Sequence, residues 1–489
     1  MKGRTHIWVA LLLVCLTPRF KNLDKDVSSP VCRTDDVYTG DAFFPFKKKK
    51  YILYDVNLGE GFNLQKEVLY RVALAVYYLN QEVRTQVHYL VLPPWCYLTH
   101  WGREKKHNRI KWSVFFNMKV LQNVIPVIEY TEYEKEFGPH ADYILSYRHF
   151  IGDWSKMNEK KSFQFLDIEK CHVENYKLKK NLCKNCDYKY SVVYSGNCAN
   201  VKGKKTECLE FFFITSYFVS STLSDIFHYD IDSVLIKHGS NILVSFVNEL
   251  VEANLEDVLP YSEDLINEGN QFVEKNFKSN NNYISCHLRY TDFRKISTYD
   301  VSPIEISLLK LLYIMFLRKS SIIFVSTDEK KQVKKVIDRQ FSQYKNFFFF
   351  YENEKLHTGQ VAIIDQWICI RSGTFVGNIF SRFSMHIKWE RSLIGKGGQD
   401  HNLDLCGYSI NTDEGLRKKY SDIQDTHLDE EALQKLHPLY MRLSQTDKKF
   451  LRTICYDFAH HYPQNVSIYR RGYVPPELWG VSNGGKKNA

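Results

Sequence analysis

The stretch Tyr51–Arg71 constrains the fold more than any other. An apolar run, Tyr51 to Val56, has the length of a buried strand, and at Leu64, Val68 and Leu69 the apolar spacing lengthens to that of a helix. A strand passing directly into a helix opens a βα unit, and a series of such units builds a parallel sheet covered by helices. Between the two lies Gly59-Glu60-Gly61. Flanking glycines let the backbone turn sharply and approach a ligand, presenting one carboxylate at the carboxyl end of a strand, where open α/β sheets keep their chemistry. The same acid also suits a plain helix start, where negative charge is stabilising, and both readings stand.

The pattern then repeats. A helix over Leu64–Asn80 leads to an apolar strand at Tyr89–Leu92, followed by Pro93-Pro94-Trp95, and further strands are expected at Val124–Tyr130 and Tyr143–Tyr147. Residues 155–210 break the rhythm with lysine, asparagine and five cysteines, and read as a disulfide-bearing insertion. Helical spacing returns over Asn241–Phe277. A second series begins with strands at Tyr283–Leu288, Ile322–Val325 and Phe347–Phe350 around a helix at Ile304–Leu317, and Val361–Ile370 and Thr374–Ile379 continue it. The chain of 489 residues exceeds what one core usually supports. The expected organisation is a signal peptide over 1–18, a leader over 19–50, a Rossmann-like domain over 51–250 carrying the insertion 155–210, and a second Rossmann-like domain over 251–408. Past Tyr408 the core pattern stops, leaving a charged, helical extension of unknown role over 409–489.

Lys2 and Arg4 precede an apolar run, Ile7–Leu16, that is too short to span a bilayer and reads as a secretory signal, cut or left as a poor anchor. No other run reaches the roughly twenty residues of a spanning helix. The expected location is the lumen of the endoplasmic reticulum. Net charge is +10, but Lys47–Lys50 and Lys202–Lys205 lack interleaved aromatics, so nucleic acid is not an expected partner. Of twelve cysteines, one lies in the signal, and the rest would meet an oxidising compartment. Cys183-Lys184-Asn185-Cys186 has zinc spacing but no second pair to complete four ligands, so disulfides are favoured.

Three segments fall at strand ends in this reading: Gly59-Glu60-Gly61, His287-Leu288-Arg289 and Ile364-Asp365-Gln366. Arg289 fits either an ion pair with Asp292 or a phosphate, whose oxygens match the guanidinium fork. His287 alone is more often packed than catalytic. Tyr54-Asp55-Val56-Asn57, Glu60-Gly61-Phe62-Asn63-Leu64, Leu92-Pro93-Pro94-Trp95, Ile125–Tyr130, His287-Leu288-Arg289, Asp292-Phe293 and Val361–Cys369, in this order, resemble the GDP-fucose protein O-fucosyltransferase 2 family from about Tyr51 to Cys406.

That resemblance implies a GT-B fold, two Rossmann-like domains facing across a cleft, and inverting transfer of fucose from GDP-fucose to Ser or Thr of folded thrombospondin type 1 repeats, with neither cofactor nor metal. It makes Glu60 the base and Arg289 the group that meets the leaving diphosphate. Gly59, Glu60, Gly61, Phe62, Asn63, His287, Leu288, Arg289, Asp365, Arg382 and Phe383 would form the donor site. It also pairs Cys171 with Cys208, whereas Cys183, Cys186 and Cys198 are additional and Cys406 is left of a late pair. Two departures bear on the donor: Tyr290 stands where the family has a second arginine, and Arg382 where it has a hydroxyl residue. Two other signals compete. Asp230-Ile231-Asp232 is the D-x-D with which GT-A enzymes hold manganese, though as a lone tripeptide it is weak. A luminal protein that holds folded repeats without transferring sugar is the alternative function.

Overall fold

The computed structural model describes residues 48–56, 61–96, 98, 109–149, 163–166, 175–177, 190–195, 199–211, 215–242, 259–277, 282–295, 301–378, 381–398, 401–405, 422–425 and 438–456. All belong to one compact unit, Lys47–Ala489.

The first sheet contains β1 (Lys48–Tyr54), β2 (Gln86–Leu92), β3 (Val127–Glu129), β4 (His140–His149), β5 (Phe163–Leu166), β6 (Asn175–Lys177), β7 (Tyr190–Tyr194), β8 (Ala199–Phe211) and β9 (Ser233–Lys237). Its order is β3-β2-β1-β9-β4-β8-β7-β6, with β5 also on β8. β1 lies parallel between β2 and β9, and every residue of it from Lys50 on is buried, which is why it reads as a continuous apolar run. Helix α1 (Phe62–Glu82) follows, and α2 (Met118–Gln122), α3 (Tyr130–Phe137) and α4 (Ser216–Phe227) complete this half. α1 packs against both β2 and α4. It is therefore buried on more than one face, from Val68 to Val76 without interruption.

The second sheet contains β10 (Ile284–Leu288), β11 (Ile323–Thr327), β12 (Phe348–Phe349), β13 (Thr374–Gly377), β14 (Asn402–Asp404), β15 (Asp422–Asp425) and β16 (Thr453–Tyr456), in the order β12-β11-β10-β13-β14-β16-β15. The five strands from β12 to β14 are parallel. Helices α5 (Glu263–Phe277), α6 (Ile304–Leu317), α7 (Lys330–Gln340), α8 (Thr358–Arg371), α9 (Arg382–Leu393) and α10 (Gln445–Arg452) belong to this half. One apolar core joins α1 and the first sheet to Leu265 and Val273 of α5 and to Ile363, Ile364 and Ile368 of α8. A second core fills the space between α6, β10, β11 and the C-terminal elements. Two α/β sheets thus meet through α1, α8 and α9, the expected GT-B organisation.

Three readings need correction. The insertion 155–210 is not simply a loop: β8 pairs in parallel with β4 from Lys202 to Phe211, and β5 and β7 lie antiparallel on β8. Antiparallel strands with one wet face tolerate polar side chains, so a lysine-rich strand passed as a loop. Ile364-Asp365-Gln366 does not end a strand but lies inside α8. That helix is buried over most of its surface, so its apolar run carries no helical period to distinguish it from a strand. Nor does the core stop at Tyr408: β15 and β16 extend the second sheet, and Tyr440, Phe450 and Leu451 are buried. Lys310 of α6 is the tie to that region, since its buried ammonium donates to Leu405 O (2.9 Å) and Phe450 O (3.3 Å). Burial pushes its pKa down to about 7.

Arg391 fixes the far edge of the second half. Fully buried, it donates to the carbonyls of Cys369, Ile370, Ser372, Gly373 and His401 and to Asn402 Oδ1. It thereby ties the end of α8 to the lead-in of β14.

Candidate active site

β1 delivers Asp55 to the edge of the cleft, where its carboxylate takes hydrogen bonds from Lys237 Nζ, Ser195 N (3.1 Å) and Val56 N (3.0 Å). Asn57, Leu58, Gly59 and Glu60 lie outside the described residues. Gly61 precedes α1 with extended backbone and no side chain to cap the helix. Phe62, the first helical residue, stacks on Trp95 (4.9 Å) and Phe116 (5.6 Å), and Trp112 packs on Trp95 at 4.4 Å while donating to Pro93 O (2.7 Å). This aromatic layer fixes the start of α1. Asn63, buried, accepts from Gln366 Nε2 of α8 at 3.3 Å, and Tyr261 donates to the same glutamine at 3.1 Å. The first half is thereby hydrogen-bonded to the second directly beside Asp365.

β10 brings His287, Leu288 and Arg289 to the other wall. His287 is 3% exposed; its ring lies 4.3 Å from that of Phe383, and its Nδ1 is 2.9 Å from Ser384 Oγ. The N-terminal turn of α9 is therefore seated on the end of β10. His287 is held as a packing and positioning group. Arg289 pairs with Asp292 (2.8 Å) and Asp328 (3.3 Å), and its guanidinium lies over Phe293. The ion-pair reading of Arg289 is thus realised. Arg289 also lines a small pocket with Leu288, Tyr290, Ser302, Ser307 and Asn378. Tyr290, in the place of the family's second arginine, is buried with the Arg294 guanidinium over its ring at 4.6 Å.

Asp365 is 4% exposed, and its Oδ2 is met by Ser326 Oγ (3.1 Å) and Lys330 Nζ (3.4 Å). Its Oδ1 has no hydrogen-bond partner among the described residues. Burial raises its pKa against the opposing pull of Lys330. Buried carboxylate oxygens are usually hydrogen-bonded, and Oδ1 can accept only from an N–H or O–H donor. Ser326 stands in register with His287 on the neighbouring strand, so Asp365 belongs to the same end of the sheet as Arg289.

Arg382 opens α9 and reaches back to α1, where its Nη1 is 3.3 Å from both oxygens of Glu67. Glu67 also lies 3.4 Å from Arg71 Nη2 and 3.4 Å from His386 Nε2. Burial alone would raise the pKa of Glu67, but His386, Arg382 and Arg71 together bring it below the usual carboxylate range. Glu67 and Asp328 were not singled out in the sequence, and Gln366 was named there only as part of Ile364-Asp365-Gln366. Asp328 carried a strand-end signal, directly after Ser326-Thr327, and Glu67 an i,i+4 pairing with Arg71. Asp230 and Asp232 of the D-x-D are ion-paired with Lys48, and Asp232 also with Lys50. Among the described residues no group of three or more His, Cys, Asp or Glu is arranged to hold a metal. Cys286 and Cys369 are buried free thiols, and Cys96 is disulfide-bonded. Cys171, Cys183, Cys186, Cys198 and Cys406 lie outside the described residues.

Residues 51–394 match the family model described as GDP-fucose protein O-fucosyltransferase. The chain is 84% identical over 472 residues to "GDP-fucose protein O-fucosyltransferase 2" of Plasmodium vivax (strain Salvador I), covering 96% of this chain and 98% of that relative. It is 27% identical over 402 residues to the Homo sapiens protein of the same description, covering 76% and 89%. A crystal structure of POFUT1 in complex with GDP-fucose aligns with a TM-score of 0.45 and 14% identity, over 72% of this chain and 97% of that one. Both walls of the cleft, from Tyr51 of β1 to the end of α9, fall inside the matched residues, and the chain belongs to the GDP-fucose protein O-fucosyltransferase family, a glycosyltransferase with GDP-fucose as its donor.

Proposed function

We propose that the chain transfers fucose from GDP-fucose, with inversion and without a metal ion, to a Ser or Thr hydroxyl of folded thrombospondin type 1 repeats in the lumen of the endoplasmic reticulum. The observation that carries this reading is the convergence of the start of α1, the end of β10 and the start of α9, with Asn63 bonded to Gln366 and Phe383 stacked on His287. An inverting displacement needs a base on one side of the sugar and positive charge on the other. Glu60, directly ahead of Gly61, takes the proton of the acceptor hydroxyl as that oxygen bonds to the anomeric carbon of fucose. The bond from this carbon to the phosphate oxygen breaks on the opposite face, and GDP leaves with the electron pair. Arg289 stands for the charge that meets the diphosphate, exchanging part of its pairing with Asp292 and Asp328 for phosphate oxygens. Asp365 offers its unpartnered Oδ1 to the N–H edge of guanine.

The acceptor class and the lumenal location rest on the motif resemblance and on the apolar leader Ile7–Leu16. Incubation of the purified chain with GDP-fucose and a folded repeat should add the mass of one deoxyhexose, and the reduced, unfolded repeat should gain little. Equal rates on both forms would refute recognition of a folded surface. Tight binding of the repeat without any transfer would favour the non-catalytic lumenal binding protein instead.

A further inference from the structure

Three polar residues on one face of α1 cross to the donor half within the helix's first two turns. Asn63 meets Gln366 of α8, Lys66 lies 3.7 Å from Glu390 of α9, and Glu67 meets Arg382 and His386 of α9. Positions i, i+3 and i+4 share a helix face, so the three contacts form one seam. Glu67 is its most heavily charged point: its side chain is 10% exposed and is approached by two groups of α9 and by Arg71 of its own helix. A buried ion cluster stabilises little more than apolar packing of the same volume, but it accepts only one register. Apolar side chains would have held α1 to α9 and allowed it to slide.

We propose that Glu67 is a positioning residue of the transfer reaction, holding the donor half in register with the N-terminal end of α1, which Glu60 precedes in the chain, through Arg382 and His386. The physical link is short on both sides. Glu67 is the sixth residue of α1, about 8 Å along the axis from the helix start. On the other side, Arg382 is followed by Phe383 and Ser384, which pack on and bond to His287, two residues before Arg289. Release of the Glu67 pairing lets the base and the leaving-group side move relative to each other, while Arg289 and Asp365, which are held by Asp292, Asp328, Ser326 and Lys330 and not by Glu67, keep GDP in place.

The inference rests on the reading of Glu60 as base, and its test separates the two. Full-length chain is compared with Glu67→Gln and Glu67→Asp for fucose transfer to a folded repeat, for GDP affinity by calorimetry and for thermal midpoint. Glu67→Gln should lose about tenfold to a hundredfold in kcat, the size of effect that a misplacement of about 1 Å produces, with GDP affinity held within about twofold. Glu67→Asp, which keeps the charge, should recover part of the rate. Loss of GDP affinity in step with kcat, or a kcat within about twofold of the parent, overturns the proposal. If Glu67→Gln does not accumulate folded, Glu390→Gln, at a 27% exposed position, loosens the same seam and should show the same split at smaller size, and absence of the split there overturns it equally. Should the parent transfer nothing to the repeat, the acceptor reading has failed, and Glu67 is judged by the same split in the slow hydrolysis of GDP-fucose by water.

Discussion

Replacing Arg289 with alanine separates the charge's role from its place in the fold, because the structure keeps the folding cost small. The guanidinium is 14% exposed and pairs with Asp292 at 2.8 Å and Asp328 at 3.3 Å. Its removal does not strand Asp328, which still accepts from Tyr290 N (3.0 Å), Thr291 N (3.2 Å) and Thr291 Oγ1 (2.6 Å). Asp292 is 37% exposed and regains water. With contact to the Phe293 ring also lost, the fold should give up about 1–2 kcal/mol, an ordinary cost for a single substitution. The diphosphate interaction is larger, since a hydrogen bond to a charged group contributes about 1.5–3 kcal/mol. That converts to a roughly 10- to 150-fold weaker GDP dissociation constant. Transfer should suffer at least as much, because the leaving group gains charge in the transition state. Calorimetry with GDP on the parent, Arg289→Ala and Arg289→Lys gives the affinities, with thermal midpoints taken alongside. Lysine keeps the charge without the fork and should fall between the other two. If Arg289→Ala binds GDP within about twofold of the parent, the phosphate role is wrong and Arg289 is a structural ion pair at the end of β10.

Glu60→Gln keeps size and hydrogen bonding but removes the proton acceptor, so transfer to a folded repeat should fall at least about 10²-fold while GDP affinity persists; near-normal turnover would place the base elsewhere. Arg391→Met takes the donor from Ile370 O, while the carbonyls of Cys369, Ser372, Gly373 and His401 keep Ser372 N, Lys396 Nζ, His401 Nδ1 and Phe375 N, so the second half should lose at least about 1–3 kcal/mol of stability. A thermal midpoint close to the parent's would refute that. Glu67 is more acidic folded than unfolded, so its contribution to stability is present above the unfolded carboxylate pKa and is lost as pH falls through its lowered folded value. Acid titration of Glu67→Gln beside the parent should accordingly show a smaller loss of thermal midpoint at low pH, and parallel curves would exclude Glu67 from the acid response. With Arg289 proposed as the charge that meets the leaving group and the D-x-D taken up by Lys48 and Lys50, transfer should survive EDTA. Loss in EDTA with recovery in manganese would return Asp230 and Asp232 as ligands.

Local sequence determined those elements whose side-chain period matches their surroundings. β1 and α1 were legible because an apolar run of strand length meets a helical spacing across two glycines, and α6 was placed at Ile304–Leu317, the bounds it has in the structure. His287-Leu288-Arg289 was legible as the polar end of a buried strand. What tertiary structure decided lies where burial overrides period or where partners are remote in the chain. α8 is buried on nearly every side, so the run around Asp365 looked like a strand, and β8 faces water enough to look like a loop. β15 and β16 join the second sheet through pairings with each other and with β14 that no local pattern announces. Arg382 and Glu67 stand 315 residues apart in the chain, and Gln366 and Asn63 303 apart. A sequence fixes which face of each helix is apolar, but which charges meet across two such faces depends on how α1, α8 and α9 pack, and that is set by the whole core at once.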